Sequence, residues 1–364
     1  MSHKKKETDE IKEAIREMIK EERVEFISSG STMINLAGSG KGKKGGWARG
    51  RIVNIVGDGS SGKTLLALEA AASAFYNMLG NTSENFPKVK KLQVVYNNVE
   101  RVMDMPLEKM YGKKFVQGIE WIATAKVEEF GRDYTRRVMA LKEGEFLLYI
   151  LDSWDALTSE AGMYRFVAAA EKDKITEGSY GTEKAAYGSK EFFGNICSLT
   201  EDKDATLIIV SQIREKIGIT FGEKYYRKGG KALDFFTHQV VWLSEIKKLK
   251  KTYHGHEMVY GIRCRARFKR NKTAKPFREA EFTILFDFGL DNLGSMIDWL
   301  WGVTCDKIEF DGGKFSRAEF IKYIEENEIE EALIEEIEKQ WNQIENAIRP
   351  RGRRARFEGQ EDSD

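Results

Sequence analysis

Eight residues constrain this chain more than any other stretch. Gly57-Asp58-Gly59-Ser60-Ser61-Gly62-Lys63-Thr64 fits GxxxxGK[ST], follows an apolar run at 52–56 and opens a helical stretch from about residue 63 to 78. Glycines let backbone N–H groups close around phosphates, and the start of a helix favours anions. Lys63 then reaches the β- and γ-phosphates, and the Thr64 hydroxyl takes Mg2+. A plain glycine turn is the competing reading, and the flanking strand and helix count against it. The run 146–151 is a second buried strand, and it ends in Asp152, which puts a carboxylate where the Mg2+ of such a site needs one. Hydrolysis also needs a group to orient or deprotonate water. Glu100, just beyond the apolar run 92–97, is a candidate that the residues alone do not separate from a solvated loop glutamate.

Around this loop, short apolar runs at 52–56, 92–97, 146–151 and 205–211 alternate with helical stretches, the pattern of a parallel sheet covered by helices. The runs 239–246, 258–268 and 281–286 lack intervening helices and predict antiparallel strands extending the sheet at one side. The fold class is therefore α/β: a P-loop core with a mostly parallel sheet, antiparallel strands at one end, and helices before and after. Ile11, Ile15, Met18 and Ile19 recur at helical spacing within residues 8–23, residues 24–27 are β-prone, and residues 28–46 read as turns and loop. After 292 the pattern is helical at 296–301, 316–327 and 328–348, with Ser316 and Glu319 spaced to cap the second helix. The expected division is an N-terminal helix and linker strand (1–30), the core (31–288), a small helical domain (289–349) and an Arg-rich, then acidic, tail (350–364).

A formal net charge of +1 conceals strong asymmetry. Six basic residues face two acids between 212 and 231, and twelve face only Glu257 between 246 and 278. Such stretches can hold a nucleic-acid backbone through counterion release without reading bases; for 247–251, expected near a hairpin tip, a solvated face is the equal alternative. The three cysteines are far apart and form no CxxC pair, which fits a reducing, cytoplasmic setting. No signal peptide and no apolar run long enough to span a membrane is read.

Several segments, in order, resemble the bacterial RecA recombinases. The resemblance runs from about residue 24 to 288: Val24 to Ser31, then Gly50-Arg51-Ile52-Val53 with the phosphate loop, Tyr96-Asn97-Asn98-Val99-Glu100 with Asp104, and Asp152-Ser153 with Ala156-Leu157-Thr158. It continues through Ser211-Gln212-Ile213-Arg214-Glu215-Lys216-Ile217-Gly218 to Gly229-Gly230-Lys231, and through Lys269-Arg270-Asn271-Lys272 with Pro276-Phe277. The resemblance implies an ATP- and Mg2+-dependent recombinase that forms a filament on single-stranded DNA and pairs it with a homologous duplex. It implies Glu100 as general base and Gln212 as the γ-phosphate sensor, with Arg270 and Lys272 reaching a neighbouring subunit's ATP. Arg214, Lys216, Ile217, Gly218, Arg227, Lys228, Gly229, Gly230 and Lys231 then belong to the second DNA-binding loop. Residues 159–190, carrying Arg165, Lys172, Lys174, Lys184 and Lys190, take the place of the first, as an expected mobile loop near DNA. Single-strand-binding or mediator proteins are further implied partners. Departures from the family are Leu107, with Tyr111 nearby, where an aromatic ring usually meets adenine, unfamiliar residues around Asp234 and Val240, and the Arg-rich tail; a phage or mobile-element recombinase shows differences of this kind. The alternatives are a regulatory DNA-binding filament with weak ATPase and a RecA-core helicase. Intact Lys63, Thr64, Glu100, Asp152 and Gln212 speak against the first, and unwinding without strand exchange would mark the second. The absence of a zinc-finger cysteine set counts against a clamp of the RadA type.

Overall fold

In this computed structural model the described residues are 24–79, 89–171, 184, 186–215, 225–227, 233, 235–305 and 307–348. The expected N-terminal helix at 8–23 and the tail at 350–364 lie outside them. The strands and helices follow the chain as β1 (Phe26–Ile27), α1 (Thr32–Ser39), β2 (Trp47–Ala48), β3 (Ile52–Gly57), α2 (Lys63–Leu79), β4 (Lys91–Asn98), α3 (Leu107–Gly118), β5 (Glu120–Ile122), α4 (Val127–Ala140) and β6 (Glu145–Asp152). A short 3-10 turn, Trp154–Ala156, leads to α5 (Glu160–Glu171), and a π-helical turn, Tyr187–Phe192, leads into α6 (Phe193–Asp202). Next come β7 (Ala205–Glu215), β8 (Tyr225–Arg227), β9 (Gln239–Tyr253), β10 (His256–Asn271), β11 (Glu279–Leu285), β12 (Gly289–Asp291) and α7 (Asn292–Trp301). The chain closes with β13 (Ile308–Phe310), β14 (Gly313–Phe315), α8 (Arg317–Glu326) and α9 (Glu330–Ala347).

The main sheet runs β12-β11-β10-β9-β3-β7-β6-β4-β5, with β8 on the far part of β7. From β9 to β5 the pairings are parallel, and from β9 out to β12 they are antiparallel. Side-chain alternation along β6 divides the core. Phe146, Leu148 and Ile150 pack on one face with α1 and α2. Leu147, Tyr149 and Leu151 pack on the other with Phe130 and Tyr134 of α4 and Phe193 of α6. A strand buried on both faces reads as an unbroken apolar run, and each fully buried Leu or Ile stabilises by roughly 1.5–3 kcal/mol.

Three expectations need correction. Residues 28–46 are not all loop: α1 forms there, capped by the Ser31 hydroxyl, which accepts from the Ile34 amide at 3.3 Å, and closed by Gly40 at φ 74°. Its eight residues lie inside a Gly/Ser/Lys-rich stretch that hides the helical signal. The β9–β10 hairpin does not turn at 247–251, because the strands continue to His254-Gly255, paired throughout. Lysine has little strand preference, and cross-strand pairing overrides it here. The segment after 292 is not helix alone, since β13 and β14 form a hairpin whose Ile308 is buried with the main core. The Ser316–Glu319 capping box forms as its spacing predicts.

Candidate functional site

The C-terminal ends of β3, β7, β6 and β4 come out on one side of the sheet, where Gly57 pairs beside Gln212 and Asn98 beside Asp152. Open parallel sheets bind ligands at these ends. Gly57, Asp58, Gly59, Ser60, Ser61 and Gly62 carry the chain from β3 into α2. Gly62 has φ +81°, and a Cβ there would come within 2.3 Å of Ile284 Cδ1, so only glycine fits. A Cβ on Gly59 would meet nothing within 4 Å, which marks that side of the loop as open. The Ser61 hydroxyl donates to the Asp58 carbonyl at 3.1 Å, and the Ser60 amide to the Asp58 carboxylate at 3.3 Å.

Lys63 is 7% exposed and donates to the Asp58 carbonyl. Burial lowers its pKa, and Asp58, Asp152, Glu100 and Asp155 oppose that shift. A desolvated ammonium aimed into an open glycine loop is a strong receptor for phosphate oxygens. The Thr64 hydroxyl donates to Asp152 Oδ2 at 2.7 Å, as does the Tyr96 hydroxyl, also at 2.7 Å. Burial pushes the Asp152 carboxyl up, against those two hydrogen bonds. Threonine hydroxyl and carboxylate side by side are the oxygen donors that Mg2+ prefers, so the residues fit a magnesium-nucleotide. Glu100 Oε1 accepts from the Ser153 hydroxyl at 2.7 Å and from Gln212 Nε2 at 3.3 Å, while the Gln212 amide donates to Asp155 Oδ2 at 2.7 Å. The Asp152–Ser153 peptide is cis. Lys63, Thr64, Glu100, Asp152 and Gln212 thus meet in one place, held by Tyr96 and Ser153, to which sequence reading gave no role, and by Asp155, which it did not single out. Nothing in a linear pattern marks what these three hold, because their partners come from other parts of the chain.

Arg270 and Lys272 stand apart from this cluster. Arg270 pairs beside Val240, and the Lys272 amide donates to the His238 carbonyl at 2.9 Å, while the His238 amide donates to the carbonyl of Ile52, the first residue of β3. From Ile52 to Gly57 is about 17 Å along a strand, so both cations lie at the opposite end of the sheet from the chain's own phosphate loop. His238 lies beside them, its pKa lowered to about 4 by burial and then by Lys272, Arg51 and Arg270.

From Gln212, β7 continues as one arm of a hairpin, not as the end of a strand at 211: Ile213, Arg214 and Glu215 pair with Arg227, Tyr226 and Tyr225. Lys216, Ile217, Gly218, Lys228, Gly229, Gly230 and Lys231 lie outside the described residues, as do the side chains of Arg214, Arg227 and Lys190 and the residues Lys172, Lys174 and Asp234. Where a first loop was expected, residues 160–171 are the helix α5, and Lys184 is buried rather than presented to DNA. The Tyr111 ring packs in the core and its hydroxyl donates to Glu69 at 2.9 Å.

The basic stretch 246–278 is less bare than counting implies. Lys250 pairs with Glu257, Arg263 and Arg265 with Glu281, Arg267 with Glu279, and Lys275 and Arg278 with Glu345. Those acids, Glu257 apart, come from β11 and α9, beyond the counted window. Lys247, Lys248 and Lys251 are exposed and have no carboxylate partner among the described residues.

The family model described as the RecA N-terminal domain matches residues 4–98 and 141–291. The chain belongs to the RecA family. Lys63, Thr64, Asp152, Gln212, Arg270 and Lys272 fall inside the matched residues, whereas Glu100 and α3 fall in the interval between them. The chain is 30% identical to the protein RecA of Streptomyces venezuelae over 281 residues, which is 76% of this chain and 64% of that relative. Against the protein RecA of Synechocystis sp. the identity is 29% over 340 residues, 90% of this chain and 85% of the relative. Against that of Nitratiruptor sp. it is 30% over 333 residues, again 90% and 85%. The RecA-type core is the mixed sheet described above, and among the described residues no helix is long and apolar enough to cross a membrane.

Proposed function

We propose that this chain is an ATP-dependent homologous recombinase, which polymerises on single-stranded DNA, hydrolyses ATP in response to that DNA and exchanges strands with a homologous duplex. The observation that carries the reading is the continuity from nucleotide site to hairpin: Gln212 touches Glu100 with its side chain and, within the same strand, starts the β7–β8 arm. Lys63 and the amides of Gly57 to Thr64 hold the ATP phosphates, and Thr64 and Asp152 hold Mg2+, which when bound neutralises phosphate charge. Glu100, oriented by Ser153, accepts the proton of the attacking water. Gln212 reads the γ-phosphate. Because the coupling is reciprocal, ATP favours DNA as much as DNA favours ATP.

Arg270 and Lys272 lie too far from their own phosphate loop to serve it, which supports their action on the ATP of an adjacent subunit in a filament. Arg214, Lys216, Ile217, Gly218, Arg227, Lys228, Gly229, Gly230 and Lys231 then line the DNA, with Lys190 contributing from the preceding segment. The division at 30, 288 and 349, the cytoplasmic setting and mediator or single-strand-binding partners belong to the same proposal. The test is ATP hydrolysis with and without single-stranded DNA at two salt concentrations. Strong stimulation that weakens with salt is expected, since backbone neutralisation releases counterions. Hydrolysis indifferent to DNA would contradict the proposal.

A further inference from the structure

Lys184 is 5% exposed. Its ammonium donates to three main-chain carbonyls, those of Trp154 at 3.0 Å, Asp155 at 3.3 Å and Leu157 at 2.9 Å, and lies 5.9 Å from the centre of the Trp154 ring. Three carbonyl acceptors around one nitrogen match the three N–H donors of an ammonium. Burying a charge is unfavourable unless it is hydrogen-bonded, and these carbonyls supply that bonding; the Trp154 carbonyl also accepts from the Leu157 amide at 3.3 Å.

The carbonyls belong to the turn that leaves β6 directly after Asp152. From that turn the Ser153 hydroxyl holds Glu100 and the Asp155 carboxylate holds the Gln212 amide. Lys184 precedes the π-helical turn Tyr187–Phe192 that leads into α6, and α6 packs on the same turn through Phe193, whose ring is 5.3 Å from that of Trp154. One buried cation at residue 184 is therefore tied to the backbone carrying the supports of both Glu100 and Gln212.

We propose that Lys184 is a positioning residue for hydrolysis: by holding the carbonyls of residues 154, 155 and 157 it fixes the turn that sets Glu100 and Gln212 against the nucleotide. The role rests on the reading of this site as an ATPase. It assigns Lys184 neither to the nucleotide nor to DNA, so losing the ammonium acts on turnover and spares ATP affinity.

The experiment compares wild type, Lys184→Met and Lys184→Arg by steady-state ATP hydrolysis with and without single-stranded DNA, alongside thermal melting. In Lys184→Met the kcat is expected to fall about tenfold or more while KM for ATP stays within about twofold, because small displacements of catalytic groups are costly in rate. Lys184→Arg, which keeps donors and charge, is expected to recover part of kcat. If the methionine variant does not fold, Lys184→Gln, with two N–H donors on a shorter chain, takes its place with the same expectation. Unchanged kcat in a folded variant, or a parallel loss in KM, overturns the role. A wild type that DNA does not stimulate overturns the recombinase reading, and the Lys184 role is then decided on the DNA-independent kcat. A wild type that does not hydrolyse ATP overturns both.

Discussion

Glu100 is held at one carboxylate oxygen by the Ser153 hydroxyl and the Gln212 amide group, a geometry that a glutamine reproduces in size but not in basicity. Glu100→Gln is therefore expected to lower kcat by about 10²–10⁴-fold with ATP binding retained, measured by turnover and by nucleotide titration. A second carboxylate of interest takes no part in that chemistry. Glu69 on α2 is half-buried against β12, where it accepts from the Tyr111 hydroxyl at 2.9 Å and the Leu290 amide at 3.2 Å, and desolvation raises its pKa above the ordinary 4.5. As pH rises past 4.5 the unfolded chain loses this proton before the native one does, so the group lowers stability progressively until its folded pKa is passed. Glu69→Gln keeps the acceptor and removes the charge; a higher Tm at pH 7.5, with the gain shrinking toward pH 4, is the expected result. Lys63, Thr64 and Asp152 were legible because each belongs to a local motif with a fixed spacing. The roles of Tyr96 and Asp155 were not, since only the registers of β4 beside β6 and of β6 beside β7 bring their partners to them.

The helix α9 is fastened to the β10–β11 connection by Glu345, whose carboxylate takes both Arg278 and Lys275 and is held down to about 2 by them. This pair of contacts fixes the turn that follows Lys272. Glu345→Gln is expected to cost about 1–2 kcal/mol, read from urea unfolding near neutral pH. A carboxyl with a depressed folded pKa stabilises above its unfolded value and loses that contribution as pH falls, so the penalty should fade between about pH 4.5 and 2. In α8, Ser316→Ala removes the reciprocal cap with Glu319 and should cost about 1 kcal/mol in the same measurement. Strands buried on both faces were legible from their apolar runs to within a residue or two at their starts. The outer halves of β9 and β10 were not, because a lysine-rich strand is held by its partner strand and not by its own composition. Nor was the neutralisation of Arg263, Arg265 and Arg267, whose acids stand on the adjacent strand and on α7.

At the scale of the whole molecule the proposed mechanism uses both ends of the sheet. The phosphate loop, Asp152, Glu100 and Gln212 occupy one, and Arg270, Lys272 and His238 the other, with the length of β3 between them. A lone subunit cannot bring these together; in the proposed filament, subunits stacked head to tail would bring the second end of one against the first end of the next. A heterologous contact whose rotation does not close into a ring propagates as a helical filament, which is the arrangement proposed here. The decisive measurement is DNA-stimulated ATP hydrolysis by Lys272→Ala, by Lys63→Ala and by the two mixed. Each variant alone should be nearly inactive, and the mixture should recover hydrolysis, because a Lys63→Ala subunit still presents Lys272 to the intact phosphate loop of its Lys272→Ala neighbour. Full activity of Lys272→Ala by itself, or no recovery on mixing folded variants, would contradict a nucleotide site completed by the neighbouring subunit.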